Sequence, residues 1–274
     1  MPALDQRSQM AGPKEEIRTN GGFGPYAAGM SRPRQILALG GGGFSMEAGN
    51  ALLDDHALAL TGVECPKVCF LPTASGDADH YIVRFYRAFP AGRCEPSHLS
   101  LFRRDGGAGD LAAHLMTQDL VYVGGGSLIS LLGTWSAHGI DLMLRAAWES
   151  GVVMAGLSAG SLCWFDHAVT AFHGESRKVR GIGLLPFSNA VHYDDKPERR
   201  AAFLEAIADG MPPGYGTGDG AALHFVDTAL ARVVASRPHA RAYRVAPEGA
   251  EVIETELATE FLGTAVAVEP ALAA

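Results

Sequence analysis

The stretch VVMAGLSAGSLCWF, residues 152–165, bears on both the fold class and the chemistry. Its first part, 152–157, is apolar without alternation, which is typical of a strand buried on both faces of a parallel sheet. The pattern G-x-S-x-G follows at 156–160, and residues 161–165 are predicted to be helical. A serine on such a strand-to-helix turn projects its hydroxyl from the sheet edge, near free helix N–H groups. We therefore predict that Ser158 is a nucleophile, against the alternative of a glycine-rich turn with an incidental serine.

Similar apolar runs alternate with helical segments along the first two thirds of the chain. The other predicted strands are 35–40, 67–72, 94–101 and 119–126, and the predicted helices include 45–60, 82–89 and 141–150. Strands of this kind alternating with helices imply a mainly parallel sheet that is covered on both faces. A helix at about 197–209, followed by several short strand-like segments, predicts a small antiparallel C-terminal part.

The N-terminal region differs from the rest of the chain. It is polar and glycine-rich, and it has neither a helical nor a strand period. We predict a flexible extension over residues 1–30 and a single α/β domain over residues 31–274. Translation from Met1 and translation from Met30 both fit the sequence.

The composition argues against several classes of protein. Lys and Arg total 22 against 30 Asp and Glu, a formal net charge of -8 without a dense basic run, so no nucleic-acid partner is expected. No apolar run approaches the roughly 18 residues of a membrane span, and no secretory signal is present, so we expect no membrane partner and a cytoplasmic location. No metal-site or phosphate-loop motif occurs, and neither a metal nor a cofactor is expected. The oligomeric state stays open, with a homodimer among the options.

Four consecutive glycines, Gly40–Gly43, follow the first predicted strand. They match a dinucleotide-binding fingerprint only in part, because Ser45 stands where its third glycine belongs and the second strand ends without a ribose-binding acid. The alternative is a tight turn that lets the chain pass close to a neighbour or a ligand.

A serine nucleophile needs a base, and in enzymes with this turn the histidine follows the serine along the chain. His192, in NAVHYDDKPERR, lies where an apolar stretch gives way to charged, turn-forming residues. We predict that His192 is the base, with His173 next in order. Asp194 and Asp195 could orient this histidine or contact a substrate.

Several of these segments together resemble one family. VGGGSLISLL, AGLSAGSLCWF and GIGLLPFSNAVHYDDKPERR, in this order and spacing, are similar to the dipeptidase E and cyanophycinase family of serine peptidases, its peptidase E-like branch in particular. ALGGGGFSME and GDGAALHF resemble that family too, so the likeness covers roughly residues 34–248. The resemblance implies a three-layer α/β/α fold akin to class I glutamine amidotransferases.

The resemblance also implies the machinery of the site. It implies a nucleophile at Ser158 and a base at His192. It further implies an oxyanion hole formed by the backbone N–H groups of Gly125, Gly126 and Ala159.

The substrate follows from the same resemblance. The family hydrolyses peptide bonds after an N-terminal aspartate, or β-aspartyl-arginine linkages, so a small acidic peptide is the expected partner. An arginine usually meets the acidic group of the substrate. Arg199 is our prediction for it and Arg200 is the second candidate, against the alternative of a solvated basic pair on a helix.

The sequence departs from the family pattern at two positions. Ser127 stands where relatives usually carry asparagine, and Ala171 stands where they usually carry the acid that orients the base. We predict that Glu175, which lies between nucleophile and base in the sequence, replaces this acid. Asp194 is the alternative acid as well as a predicted substrate contact.

Two rival functions follow from these departures. If neither carboxylate reaches the histidine, the chain is a catalytically impaired relative that binds acidic peptides or metabolites. A hydrolase that uses Cys163 is a third hypothesis, although this cysteine lies past the serine turn.

Overall fold

The computed structural model describes residues 32–102, 111–172 and 174–264 of the chain. The predicted extension over residues 1–30 lies outside these ranges. The single domain over residues 31–274 stays a prediction.

Strands and helices alternate in the first half of the described chain, and strands dominate the second half. The strands are β1 (Gln35–Leu39), β2 (Lys67–Leu71), β3 (Glu95–His98), β4 (Leu120–Val123), β5 (Val153–Leu157), β6 (Phe165–Thr170), β7 (Arg177–Arg180), β8 (Leu185–Val191), β9 (Gly214–Thr217), β10 (Ala221–Val226), β11 (Ala229–Ala235), β12 (Ala242–Glu248), β13 (Glu251–Glu256) and β14 (Thr259–Phe261). The helices are α1 (Gly43–Met46), α2 (Leu52–Ala59), α3 (Asp79–Ala88), α4 (Leu111–Met116), α5 (Leu128–His138), α6 (Ile140–Glu149), α7 (Ala159–Leu162) and α8 (Pro197–Ala208).

The larger sheet has eight strands in the order β14-β11-β10-β1-β5-β4-β2-β3. Five neighbouring strands of this sheet are parallel, namely β1, β5, β4, β2 and β3. In contrast, β10 runs antiparallel to β1. Along β1, Ile36 packs in the core that includes α5 and α6, and Leu37 packs in the core that includes α1, α2 and α3. Because both faces are covered, these strands are apolar throughout. The predicted mixed α/β fold with a large, mainly parallel sheet is confirmed.

A second sheet of six strands, β13-β12-β9-β8-β6-β7, was not predicted from the sequence. The predicted small antiparallel C-terminal part is corrected accordingly: β10 and β11 extend the larger sheet, whereas β12 and β13 belong to the second one. Strands of this sheet lack the long apolar runs on which the prediction depended; β7, for example, reads RKVR and is largely exposed. The predicted helix over 161–165 is too long, because α7 ends at Leu162 and β6 of the second sheet begins at Phe165.

The two sheets meet at the short link from β9 to β10. Val191 at the end of β8 pairs with Thr217 at the end of β9, and Asp219 in the link bridges to Gly41 after β1. The Ser158 N–H donates to the carbonyl of Leu39, which ends β1. The C-terminal ends of strands from both sheets therefore converge on one spot. None of the helices in the described ranges combines the length and the apolar character that a bilayer crossing requires.

Candidate active site

Ser158 lies on a sharp turn between a strand and a helix, as the motif predicts. β5 ends one residue before it and α7 begins one residue after it, and its backbone has φ +52°, which is strained for a residue with a side chain. The turn tolerates only small neighbours. A Cβ at Gly156 would lie 2.1 Å from the Gly160 carbonyl oxygen, and one at Gly160 would lie 2.3 Å from the Val123 carbonyl oxygen.

Three polar side chains meet at this turn. His192 Nε2 lies 3.0 Å from Ser158 Oγ, and His192 Nδ1 lies 2.5 Å from Asp219 Oδ1. His192 directly follows β8, and Asp219 lies in the link after β9, the parallel neighbour of β8. The side chains of His192 and Asp219 are only 13% and 12% exposed. Ser158 therefore comes from the end of β5 in the larger sheet, whereas His192 and Asp219 come from the ends of β8 and β9, which are neighbours in the second sheet.

The contact with Asp219 decides which nitrogen of His192 carries the proton. An ionised carboxylate can only accept hydrogen bonds, so the His192 Nδ1–H donates to Asp219. Nε2 of the neutral ring is then left as the acceptor for the Ser158 hydroxyl. Burial by itself raises the pKa of Asp219, but the hydrogen bonds with His192 and Asp195, together with nearby positive charge that includes Arg237, outweigh it, and the pKa lies below its ordinary value. Asp219 therefore stays ionised at neutral pH.

The glycine run after β1 forms a wall against this group. A Cβ at Gly41 would lie 2.1 Å from Asp219 Oδ1 and 3.0 Å from His192 Cε1, so no side chain fits there. A Cβ at Gly40 would lie 2.3 Å from the Gly218 carbonyl oxygen. The close-packed turn is thus the better interpretation of the four glycines, rather than a dinucleotide fingerprint.

The predicted oxyanion donors differ in their contacts. The Gly125 N–H donates to Tyr81 Oη at 3.1 Å, so this group is already engaged and our prediction for Gly125 is corrected. Gly125 still packs beside the nucleophile, because a Cβ on it would lie 3.3 Å from Ser158 Cβ. For the N–H groups of Gly126 and Ala159, no acceptor is found within the described residues. Those two donors stay available for an oxyanion.

Ser127, the first departure from the family pattern, has a structural part in this turn. Its hydroxyl accepts a hydrogen bond from the Ser130 N–H at 3.2 Å and so caps the N-terminus of α5. Its own N–H donates to the carbonyl of Ala74. The glycine turn before α5 is therefore anchored at its far end.

The prediction that Glu175 orients the base is wrong, because Asp219 occupies the Nδ1 side of His192. Glu175 is exposed and lines a small depression together with Phe172 and Arg177. Asp194, the alternative acid, is exposed as well and hydrogen-bonds to Tyr243. As a substrate contact, Asp194 stays a prediction.

The error came from chain order. We expected the acid between the serine and the histidine, whereas Asp219 follows His192 by one strand, one helix and a turn. A signal was present in the segment GDGAALHF, where Asp219 stands between two glycines at the start of a strand.

The two arginines after the histidine have different surroundings. Arg200 pairs with Glu254 at 2.8 Å and packs over the rings of Tyr193 and Tyr243, so its charge is compensated. Arg199 is half-buried, its Nε has no hydrogen-bond partner, and its charge acts on Asp219. Burial lowers the pKa of Arg199 from its ordinary value. Of the two candidates, Arg199 is the one that makes no ion pair in the described structure, although Glu198 and Asp219 lie near enough to act on its charge.

The remaining candidates are poorly suited to catalysis or fall outside the described chain. Cys163 is fully buried, its thiol donates to the Gly160 carbonyl, and burial raises its pKa well above the ordinary value. A thiol held in that state is a poor nucleophile. His173 lies outside the described residues. In the described ranges, no three His, Cys, Asp or Glu side chains are grouped so that they could hold a metal ion.

Comparisons with known proteins agree on the kind of protein. The model of the family described as "Peptidase family S51" matches residues 36–233. The Bacillus subtilis (strain 168) protein named "Uncharacterized peptidase YgaJ" is 46% identical over 231 residues, which are 84% of this chain and 100% of that protein. The crystal structure of a peptidase from an acI-B1 Actinobacterium is similar with a TM-score of 0.59 and 18% identity, covering 84% of this chain and 96% of that one. At that identity, the structural likeness bears on the fold alone.

Proposed function

This chain belongs to peptidase family S51, and on that basis we propose that it hydrolyses small acidic peptides, Asp-Xaa dipeptides or related aspartyl linkages. Family membership supports a serine-type peptidase. The observation that carries the proposal is the contact of Ser158 Oγ with His192 Nε2 at 3.0 Å, backed by Asp219 on Nδ1. A hydroxyl, an imidazole and a carboxylate in this order are the parts that nucleophilic acyl transfer needs.

In the proposed mechanism, Ser158 Oγ attacks the carbonyl carbon of the scissile bond while its proton passes to His192 Nε2. The imidazolium that forms is stabilised by the Asp219 carboxylate, which keeps its own charge. His192 then gives the proton to the leaving amine, and an ester links the substrate to Ser158. Water attacks this ester with the same histidine as base, which releases the acid and restores the serine.

The negative charge that develops on the carbonyl oxygen needs donors that are already in place. We assign this part to the N–H groups of Gly126 and Ala159, the two predicted donors without an acceptor in the described structure. Ala159 is the first residue of α7, so its N–H is one of the donors that the helix itself leaves without a partner. The strand–serine–helix turn then acts as a nucleophile elbow.

Arg199 supplies the specificity in this proposal. Its guanidinium is half-buried and makes no ion pair in the described structure, and a carboxylate of the substrate would pair with it. Asp194 offers the opposite charge and would attract the free amino group of an N-terminal aspartate. A dipeptide that begins with aspartate presents both charges at one end.

The alternative of a catalytically impaired relative depends on Ala171, which stands where relatives carry the acid that orients the base. The contact of Asp219 with His192 supplies a carboxylate for this role and supports the active peptidase instead. Two earlier expectations remain as further parts of the proposal: the likeness to class I glutamine amidotransferases, which the family resemblance implies, and the cytoplasmic location, which was inferred from the sequence.

A substrate screen with matched variants tests this function. The purified protein should hydrolyse Asp-Xaa dipeptides faster than the corresponding Asn-Xaa dipeptides, because only aspartate can pair with Arg199. Arg199→Gln should raise KM for Asp-Xaa at least tenfold and shrink the preference for aspartate. Arg200→Gln is the control, since its charge is already paired with Glu254. Equal rates on Asp-Xaa and Asn-Xaa, or an unchanged preference in Arg199→Gln, would contradict the proposed specificity.

A further inference from the structure

An open cleft of about 500 Å³ lies beside α1, α2 and α3, and none of Ser158, His192 and Asp219 lines it. Its volume falls within the range of about 300–1,000 Å³ that is typical of small-molecule sites. Apolar side chains from α1, including Phe44 and Met46, form part of the wall. The cleft is therefore large enough for a small organic molecule and offers it an apolar surface.

Three arginines line the same cleft: Arg84 and Arg87 on α3, and Arg93 shortly after it. Arg93 is compensated, because it pairs with Asp55 at 2.5 Å. Arg84 donates at 2.7 Å to the carbonyl of Ser45, a neutral acceptor, and Arg87 has no ion pair or hydrogen bond in the described structure. Two guanidinium charges, three residues apart on one helix face, are thus left without a carboxylate.

Two carboxylates also line the cleft, and neither cancels these charges. Glu47 is 4% exposed at its side chain and is compensated by Arg237 at 2.5 Å. Asp54 is buried against the hydroxyl of Tyr122, and burial raises its pKa to about 7, so a large share of it is uncharged at neutral pH. The wall is therefore positive on balance, in a chain whose formal net charge is -8.

The cleft lies close to the turn at Gly125 and Gly126, which carries a proposed oxyanion donor, but neither glycine lines it. Ser45, which lines the cleft, hydrogen-bonds to the hydroxyl of Tyr81, and that hydroxyl accepts from the Gly125 N–H. On the other side, Glu47 accepts from the Gly43 N–H at 3.3 Å, two residues after the glycine that packs on Asp219. A molecule in the cleft would therefore contact Ser45 and Glu47, which are linked to the glycine turns beside the catalytic residues, but it would not contact the catalytic residues themselves.

We propose that this cleft binds a small organic anion, with its carboxylate or phosphate head held by Arg84 and Arg87 and its apolar body against Phe44 and Met46. Guanidinium groups recognise either head through paired N–H donors. The inference does not depend on the proposed peptidase activity, because the site holds none of the catalytic side chains.

Calorimetric titration of the full chain with n-butyl phosphate and with hexanoate tests the site, and hexanamide is the uncharged control. We expect saturable binding of one anion per chain and no binding of hexanamide. Arg87→Gln should weaken the affinity at least tenfold, and Arg87→Lys should restore part of it. Arg177→Gln removes the same charge from the exposed strand β7 and should leave the affinity unchanged.

Two further variants separate this site from the catalytic one. Ser158→Ala and Arg199→Gln should bind the anion as the unaltered chain does. Loss of binding in Arg199→Gln with retention in Arg87→Gln would place the anion at the catalytic serine and overturn the proposal. Binding that does not saturate, or that is the same for hexanoate and hexanamide, would overturn it too. Melting temperatures of all variants show whether any loss of binding reflects loss of folding.

Discussion

Replacement of Asp219 by asparagine tests the part of the site that sequence reasoning assigned wrongly. The substitution keeps the volume of the side chain and removes the charge that accepts the His192 Nδ1–H at 2.5 Å. The asparagine amide can instead donate to Nδ1, which places the ring proton on Nε2. In that tautomer the ring cannot accept the proton of Ser158.

The expected loss is large and is confined to the chemical step. An equivalent change in a serine–histidine–aspartate triad lowers turnover by about 10⁴, which corresponds to about 5 kcal/mol of transition-state stabilisation. KM should change little, because Asp219 has no contact with the substrate in the proposed mechanism. In the folded protein a neutral hydrogen bond replaces one to a charged group, a difference of about 1 kcal/mol, so the melting temperature should fall only slightly.

Steady-state hydrolysis of aspartyl p-nitroanilide by the variant and by two controls is the assay. Glu175→Gln and Asp194→Asn remove the carboxylates that the sequence suggested, and neither should lower kcat by more than a few-fold. The reasoning is refuted if Asp219→Asn keeps kcat within tenfold of the unaltered chain, or if Glu175→Gln is the variant that loses turnover.

Two other features of the structure give predictions about rate and stability. Tyr81→Phe removes the hydroxyl that accepts from the part-buried Gly125 N–H at 3.1 Å and holds the glycine turn beside Ser158. Because this turn carries a proposed oxyanion donor, kcat should fall by about tenfold with little change in KM, and equal effects on both constants would contradict a positioning role. Asp54→Asn should stabilise the protein at alkaline pH. Burial raises the pKa of Asp54 to about 7, whereas an unfolded chain releases this proton near pH 4. The free energy of unfolding therefore falls by up to about 4 kcal/mol as the pH rises between these values. The melting temperature of Asp54→Asn relative to the unaltered chain should be higher at pH 8 than at pH 4.5, and the same difference at both pH values would count against this explanation.

The larger sheet could be predicted because its strands are buried on both faces and are apolar throughout. The second sheet could not, since its strands are either short or carry polar residues at many positions. β6, for instance, reads FDHAVT and is fully buried at only part of its length. Such a segment is compatible with a strand, a loop or the end of a helix, and only its pairing with β8 decides among them.

Local sequence was sufficient to single out Ser158 and His192, whose side chains the structure brings into contact, and insufficient to single out Asp219. The serine is marked by the glycines that its crowded turn requires, and the histidine by the change from apolar to charged residues after a strand. The acid reaches the histidine through the parallel pairing of β8 with β9, where Val191 lies opposite Thr217. This register is a property of the tertiary structure, and chain order gave no indication of it.

The same reasoning applies to the oxyanion donors. The glycines at 125 and 126 are equivalent in the sequence, but Tyr81 approaches only the first of them. Tyr81 belongs to α3, more than forty residues earlier in the chain, and its hydroxyl is directed by packing against Phe44 and Phe70. No local pattern records that contact.

Labelling with a fluorophosphonate probe, followed by peptide mapping, tests most directly whether Ser158 is an activated nucleophile. The probe reacts with a serine whose hydroxyl is activated by a neighbouring base, so it needs no knowledge of the substrate. We predict a single adduct on Ser158, formed at least 100-fold more slowly in His192→Ala at an unchanged melting temperature. An adduct on another residue, or labelling of Ser158 at the same rate without His192, would contradict the proposed site.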